Sequence, residues 1–364
     1  MSSSRYHMYS DHPFKLGLFG ANCSSGRAAN ILPERWLADW ESCAEMARIA
    51  DEGGIDFILP IGRWKGYGGP TDFQGTTFET ITWATGLLAL TSKLTVFGTV
   101  HAPLFNPMVA AKQIVTADHV GRGRFGLNIV VGWNEPEFQM SGIAQRDHGD
   151  RYEFAEEWIS AIKKMWSEET PFDYDKEYLK LSNVVAKPKL YSDGSPLIIN
   201  AGQSQTGRDF ALRHCHAFFT NFREADVKRS ADFVSKFKSD ARALGREANV
   251  YTQGHVVCRP TRSEAEQYFV HLTTEAADYE ALEGLVSLKG ITRENTDDFE
   301  AYLKELPPKN VGYPVIGSPE DVAKKFIKMR EAGLSGIAFS LVNYVEELPL
   351  IVEEVIPRLR EAGL

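Results

Sequence analysis

Short, nearly continuous apolar runs alternate with longer stretches whose apolar residues recur at helical spacing, and this rhythm predicts βαβ units around a parallel sheet. Phe14 to Phe19 reads as the first strand, Glu34 to Gly53 as a helix, and Phe57 to Pro60 as the second strand. Thr77 to Leu90 is then helical and Leu94 to Thr99 forms the third strand. Pro107 to Val120 is a helix with proline in its first turn, where a missing N–H costs nothing. Phe125 to Val131 follows as the fourth strand, and in Arg151 to Ser167 the residues Trp158, Ile159, Ile162 and Trp166 share one helical face. Pro196 to Ala201, His216 to Thr220 and Asn249 to Val257 supply strands five to seven, separated by helices over Ser204 to Arg213 and Ala225 to Leu244. After a helix over Pro319 to Ala332, Gly336 to Leu341 is the eighth strand and Glu347 to Glu361 the closing helix.

Eight strands in one direction predict a single (β/α)8 TIM-type barrel over residues 1–364. Between Glu275 and Val315 the pattern loses its β runs and turns polar, with Pro307, Pro308 and Gly312. That segment, 275–315, is expected to be an insertion or lid before the last strand rather than a separate domain.

Composition narrows the class without changing this picture. Hydrophobic residues make up 43% and charged residues 24%, ordinary soluble usage, and the net charge of -9 argues against a phosphate-backbone footprint. Met1 to Phe14 is polar and no stretch of about 18 uncharged apolar residues occurs, so a cytoplasmic protein without membrane or nucleic-acid partners is expected. Cys23, Cys43, Cys215 and Cys258 form no Cys-x-x-Cys pair and have no histidine at metal spacing, so neither a disulfide framework nor a metal site is expected.

In a barrel of this kind chemistry concentrates just beyond the strands. After the second strand runs Ile61 to Gly69, a glycine-rich loop with two cations and two aromatic rings, in which Gly62 and Arg63 lead. The third strand ends at Thr99 with His101 close behind, placing a hydroxyl and an imidazole at the mouth; His101 serves either as an acid/base or as a plain hydrogen-bonding group. Asn128 interrupts the apolar fourth strand and needs a partner, either a neighbouring side chain or a ligand's heteroatom edge, and Glu137 follows. Beyond the fifth strand, Gly202, Gln203 and Ser204 open a helix whose free N–H groups make either an anion seat or a simple serine cap. Trp64 and Phe105 are candidates to frame a flat or apolar ligand. Gly121 to Gly126 matches G-x-G-x-x-G by letter, but it follows a helix and precedes a strand, the reverse of a dinucleotide fingerprint, and reads as a turn.

Several of these blocks together resemble the bacterial luciferase-like family of flavin monooxygenases, on the side of the pyrimidine and dimethylsulfone monooxygenases. The resemblance rests on Ile61 to Gly69, Ala110 to Gln113, Gly123 to Trp133, Asp150 to Tyr152 and Ala201 to Ser204, and spans roughly residues 14 to 360. It implies FMN, used as FMNH2 from a separate NAD(P)H:flavin reductase, with O2 as co-substrate. By the same resemblance Gly62, Arg63, Asn128, Glu137, Arg151, Tyr152, Gly202, Gln203 and Ser204 contact the cofactor, with Arg151, Tyr152 and Ser204 on its phosphate. Leu59, Thr99 and Asn128 would surround the flavin face where oxygen reacts, through a C4a- or N5-linked species, beside His101. The implied substrate is a small N-heterocyclic or organosulfur compound, and the implied assembly a homodimer or tetramer. An F420-dependent oxidoreductase and a non-catalytic flavin-binding relative are the alternatives on the same fold.

Overall fold

The computed structural model describes Met8 and residues 12–191, 193–222 and 227–364. Most of the polar stretch before Phe14, and Ala225 where a helix was expected to begin, lie outside the described residues.

The chain begins with β1 (Lys15–Phe19), α1 (Trp40–Gly53), β2 (Phe57–Leu59), α2 (Thr80–Leu90), β3 (Thr95–His101), α3 (Pro107–Val120) and β4 (Phe125–Val130). Local chemistry explains the boundaries. Asp39 caps α1 by accepting from the Ser42 N–H, and Gly54 ends it at φ 89°, a left-handed turn that glycine adopts without strain. Asn106 caps α3 just ahead of Pro107. Next come α4 (Glu135–Met140), α5 (His148–Ser167), β5 (Phe172–Asp175), β6 (Lys180–Val184), β7 (Leu197–Asn200), α6 (Gln205–His214), β8 (Ala217–Thr220), α7 (Val227–Ala243) and β9 (Asn249–Cys258). The antiparallel β5–β6 hairpin lies outside the main sheet and was not expected from the sequence.

The parallel sheet runs β1, β2, β3, β4, β7, β8, β9 and then β11 (Gly336–Ser340), which pairs back onto β1, closing an eight-stranded barrel as expected. Every residue of β3 and β11 is buried, as parallel strands covered on both faces require. Phe57, Leu59, Phe97, Ile199, Phe219 and Tyr251 fill the barrel, while the larger apolar core lies between the strands and the surrounding helices.

The segment before the last strand is more ordered than its polar composition suggested. It holds α8 (Arg262–Thr273), α9 (Tyr279–Ser287), α10 (Phe299–Lys304), α11 (Leu306–Asn310) and β10 (Tyr313–Gly317). β10 adds to β9 alone, so Pro314 sits on an edge where its missing donor is tolerated. Leu282, Leu285, Phe299 and Leu303 form a small core with Tyr67 and Phe73 of the loop after β2. The chain closes with α12 (Pro319–Glu331), β11, α13 (Tyr344–Leu350), a π-helical turn over 351–355 and α14 (Ile356–Glu361). Among the described residues, no helix is long and apolar enough to cross a membrane.

Candidate active site

β3 and β4 pair in a register that sets Thr99 beside Asn128, and β7 places Ile199 on Asn128's other side. The Thr99 hydroxyl donates to Pro60 O at 2.6 Å, and Asn128 Nδ2 donates to Thr99 Oγ1 at 3.1 Å. Because the threonine proton is committed to a carbonyl, the asparagine must supply the second donor, which fixes its amide orientation. Asn128 Oδ1 is left buried and without a partner, an acceptor with unmet demand. Asn128 also lines both cavities at the C-terminal mouth, one of about 600 Å³ and one of about 200 Å³; Leu59 lines the smaller.

The loop after β2 is built around a buried carboxylate. Glu137 Oε1 accepts from Arg63 Nη1 at 2.9 Å, from the Trp64 N–H at 2.8 Å and from the Lys65 N–H at 3.3 Å. The Arg63 guanidinium then lies over Tyr67 and Trp133, with its carbon 5.0 and 5.6 Å from the ring centroids. A Cβ on Gly62 would come within 2.8 Å of the His101 ring, so only glycine admits this approach. Burial pushes the His101 pKa down to about 4; nearby Glu137 opposes this and Arg63 reinforces it. His101 is therefore neutral at neutral pH, which favours hydrogen bonding over proton transfer as its role there.

Across the mouth, α5 and α6 meet at a polar turn. Ser204 caps α6 by accepting from the Gly207 N–H at 3.1 Å, while the N–H groups of Gln205 and Thr206 have no protein partner among the described residues. A Cβ at Gly202 would lie 2.2 Å from the Tyr152 hydroxyl, and one at Gly207 2.6 Å from it; both glycines make room for that phenol. Burial raises the Tyr152 pKa, with the Ser204 hydroxyl and Arg151 acting against the shift. Arg151 Nη1 donates to Gly132 O at 2.5 Å, while its buried Nε has no partner. Gln203 braces the turn by donating to Phe219 O at 2.7 Å, and Asn200 ties it to β4 through Ile129 O at 2.7 Å. The first helical turn of α6, the half-buried Arg151 cation and two hydroxyls present donors of the kind that can hold a phosphate.

A family model described as luciferase-like monooxygenase matches residues 18–336. The chain belongs to the luciferase-like monooxygenase family. It is 27% identical over 358 residues to an FMNH(2)-dependent dimethylsulfone monooxygenase of Pseudomonas putida, covering 96% of each chain. It is likewise 27% identical over 353 residues to pyrimidine monooxygenase RutA of Acinetobacter baylyi, covering 94% of each. The crystal structure of DmoA from Hyphomicrobium sulfonivorans superposes with a TM-score of 0.85 at 18% identity, over 96% of this chain and 89% of that one, a likeness of fold.

Within this luciferase-like barrel the residues singled out from the sequence, Trp64 and Phe105 excepted, gather at the C-terminal mouth. Thr99, His101, Asn128, Gly62 and Arg63 line the larger cavity, Leu59 and Gln203 the smaller, and Glu137, Arg151, Tyr152, Gly202 and Ser204 stand behind them. Trp64 and Phe105 do not frame it: they pack on each other, 6.1 Å between centroids, and neither lines the cavity. Phe19, Tyr67, Phe73 and Trp133 are its aromatic walls. Arg27 and Lys289 also line it, contributed by the β1 loop and the turn after α9, and sequence reasoning missed both. Arg27 was findable, since it follows a strand end; nothing local marks Lys289. The G-x-G-x-x-G match is a turn between α3 and β4, with Arg122 at φ 51° and Gly123 at φ 88°.

Proposed function

We propose that this protein is the oxygenating component of a two-component, FMNH2-dependent monooxygenase, with NAD(P)H:flavin reductase as its supplier of reduced FMN. The observation that carries the reading is the pairing of a phosphate seat with the unmet Asn128 acceptor at one mouth, in a chain whose relatives are named FMNH2-dependent. Arg151, Tyr152 and Ser204 would hold the phosphate, and Asn128 Oδ1 would accept from an N–H on the flavin's polar edge, a donor that reduction provides. Bound reduced FMN supplies the activation of O2 and the delivery of one oxygen atom to substrate.

The chain's own residues orient and exclude. Thr99 keeps Asn128 turned toward the cavity, and Leu59 and Phe219 keep the ring's surroundings apolar. Neutral His101 offers a ring nitrogen without placing a charge beside the substrate. Glu137 acts through Arg63, holding the β2 loop in shape. Residues 275–315 cover the mouth as a lid: Asp278 accepts from the Thr71 hydroxyl and N–H and so ties α9 to that loop. A small N-heterocyclic or organosulfur substrate, a cytoplasmic location and a homo-oligomer belong to the same reading.

Anaerobic titration with FMNH2 and with reduced F420, followed by mixing with O2, tests it. Saturable FMNH2 binding and substrate-dependent product formation are expected. Binding of F420 in preference to FMNH2 refutes it.

A further inference from the structure

Three cations line the larger cavity, Arg27, Arg63 and Lys289, and no carboxylate lines it. Arg63 is neutralised from behind by Glu137. Arg27 and Lys289 have no ion-pair partner among the described residues. Arg27 donates from Nη2 to Asn310 O at 2.9 Å and lies over the Phe19 ring, while its buried Nε points to no acceptor. Lys289 lies over the Trp133 ring, its nitrogen 5.9 Å from the centroid. Burial pushes the pKa of each down; Arg27 adds to the shift at Lys289, and no carboxylate opposes it at either. A chain with net charge -9 thus keeps two cations without carboxylate partners at one cavity, Arg27 half-buried with its Nε out of water and Lys289 exposed at the rim; for Arg27 an entering anion would offset the cost of that desolvation.

The phosphate seat does not account for Arg27. In the barrel's strand order β1 stands three places from β4 and four from β7, so Arg27, on the β1 loop, faces the seat between α5 and α6 across the opening, while Lys289 lies over Trp133 in the loop after β4. We propose that the substrate is a small organic oxyanion, a carboxylate or sulfonate, bound between Arg27 and Lys289 at the mouth of the larger cavity. Arg27 supplies a planar fork that matches an oxyanion, and Lys289 a point charge at the rim. Trp133, Tyr67 and Phe73 would receive the apolar or flat remainder of the molecule. The inference rests on the functional reading above for the reaction, though not for the binding.

Calorimetric titration of the FMN-loaded protein and of the protein alone, with orotate against uracil and methanesulfonate against dimethyl sulfone, tests it. Within each pair the anion is expected to bind at least about tenfold more tightly, a difference of about 1.4 kcal/mol, and to weaken as salt is raised. Arg27→Gln and Lys289→Gln should each erase the preference while Arg27→Lys keeps it, with FMN affinity, read separately by flavin fluorescence, unchanged in all three. Equal or tighter binding of the neutral members, no binding of either anion, or competitive displacement of the anion by inorganic phosphate or FMN overturns the proposal. Loss of FMN binding with the charge preference intact removes the flavin reading and leaves this one standing.

Discussion

Replacing Glu137 by alanine probes how the loop that forms one wall of the cavity is held. The Glu137 side chain is 2% exposed and that of Arg63 8%, so the pair lies out of water. Alanine leaves the Arg63 charge without its partner and the Trp64 and Lys65 N–H groups without their acceptor. Breaking a buried pair from one side costs about 3–5 kcal/mol. Glu137→Gln keeps an oxygen for those donors but turns charge-assisted bonds into neutral ones; at roughly 1 kcal/mol for each of the two short bonds, the loss is about 2 kcal/mol. Arg63→Met combined with Glu137→Gln removes the unmatched charge and should recover part of that loss. Denaturant unfolding supplies the free energies, and hydrogen exchange over residues 61–69 locates the change. A loss under about 1 kcal/mol for alanine, or the same loss for glutamine as for alanine, refutes the reasoning.

Asn128→Ala should lower product formed per flavin oxidised, releasing peroxide instead, with less effect on FMN affinity; Arg151→Ala should weaken FMN by about 1.5–3 kcal/mol, and equal losses of affinity in both would sink this division. Asp278→Ala removes the α9 cap and both Thr71 bonds, so protease sensitivity should rise in residues 62–75 and 275–315 together; a change confined to one segment counts against the clamp. His101 and His255 are held neutral, with pKa values pushed by burial to about 4 and about 3, below an unfolded value near 6.5. The unfolded chain therefore binds more protons below pH 6.5, and stability present above that pH is lost as pH falls toward 4, by up to about 1.4 kcal/mol per pH unit for each. His255→Asn should flatten that slope, and an unchanged slope contradicts a neutral, buried His255.

The barrel was legible because most of its strands are short apolar runs, and runs such as Leu94 to Thr99 or Phe125 to Val131 have no polar face that would suit an exposed element. The strand ends then named the floor of the site, Thr99 and Asn128, without reference to tertiary contacts. What the pattern hid was structure built from weak or mixed signals. β10 carries Pro314 just after Gly312 and Tyr313 and reads as a turn, yet it needs to satisfy only one neighbour. α9 and α10 are short, nine and six residues, and their apolar residues serve a small core shared with Tyr67 and Phe73, more than 200 positions earlier, so no local window reveals them. Lys289 is the clearest case. Its meaning depends on Trp133 and Arg27, which only the folded chain brings near.

That distribution has a consequence for how substrate choice is separated from oxygen chemistry. The Asn128–Thr99–Pro60 chain is strand-borne and buried, so changing it disturbs the barrel floor. Arg27 and Lys289 sit on loops, and Lys289 lies beyond α9 on a segment whose contacts with the barrel run through the Asp278–Thr71 bonds, backbone bonds to Ala29 and Ile31, and two small apolar cores. Charge in the cavity can therefore be altered at the rim while the acceptor below stays in register. Leu285, Lys289 and Asn310, all between β9 and β11, line that cavity, so substitutions in this segment reach the cavity rim without entering the barrel floor.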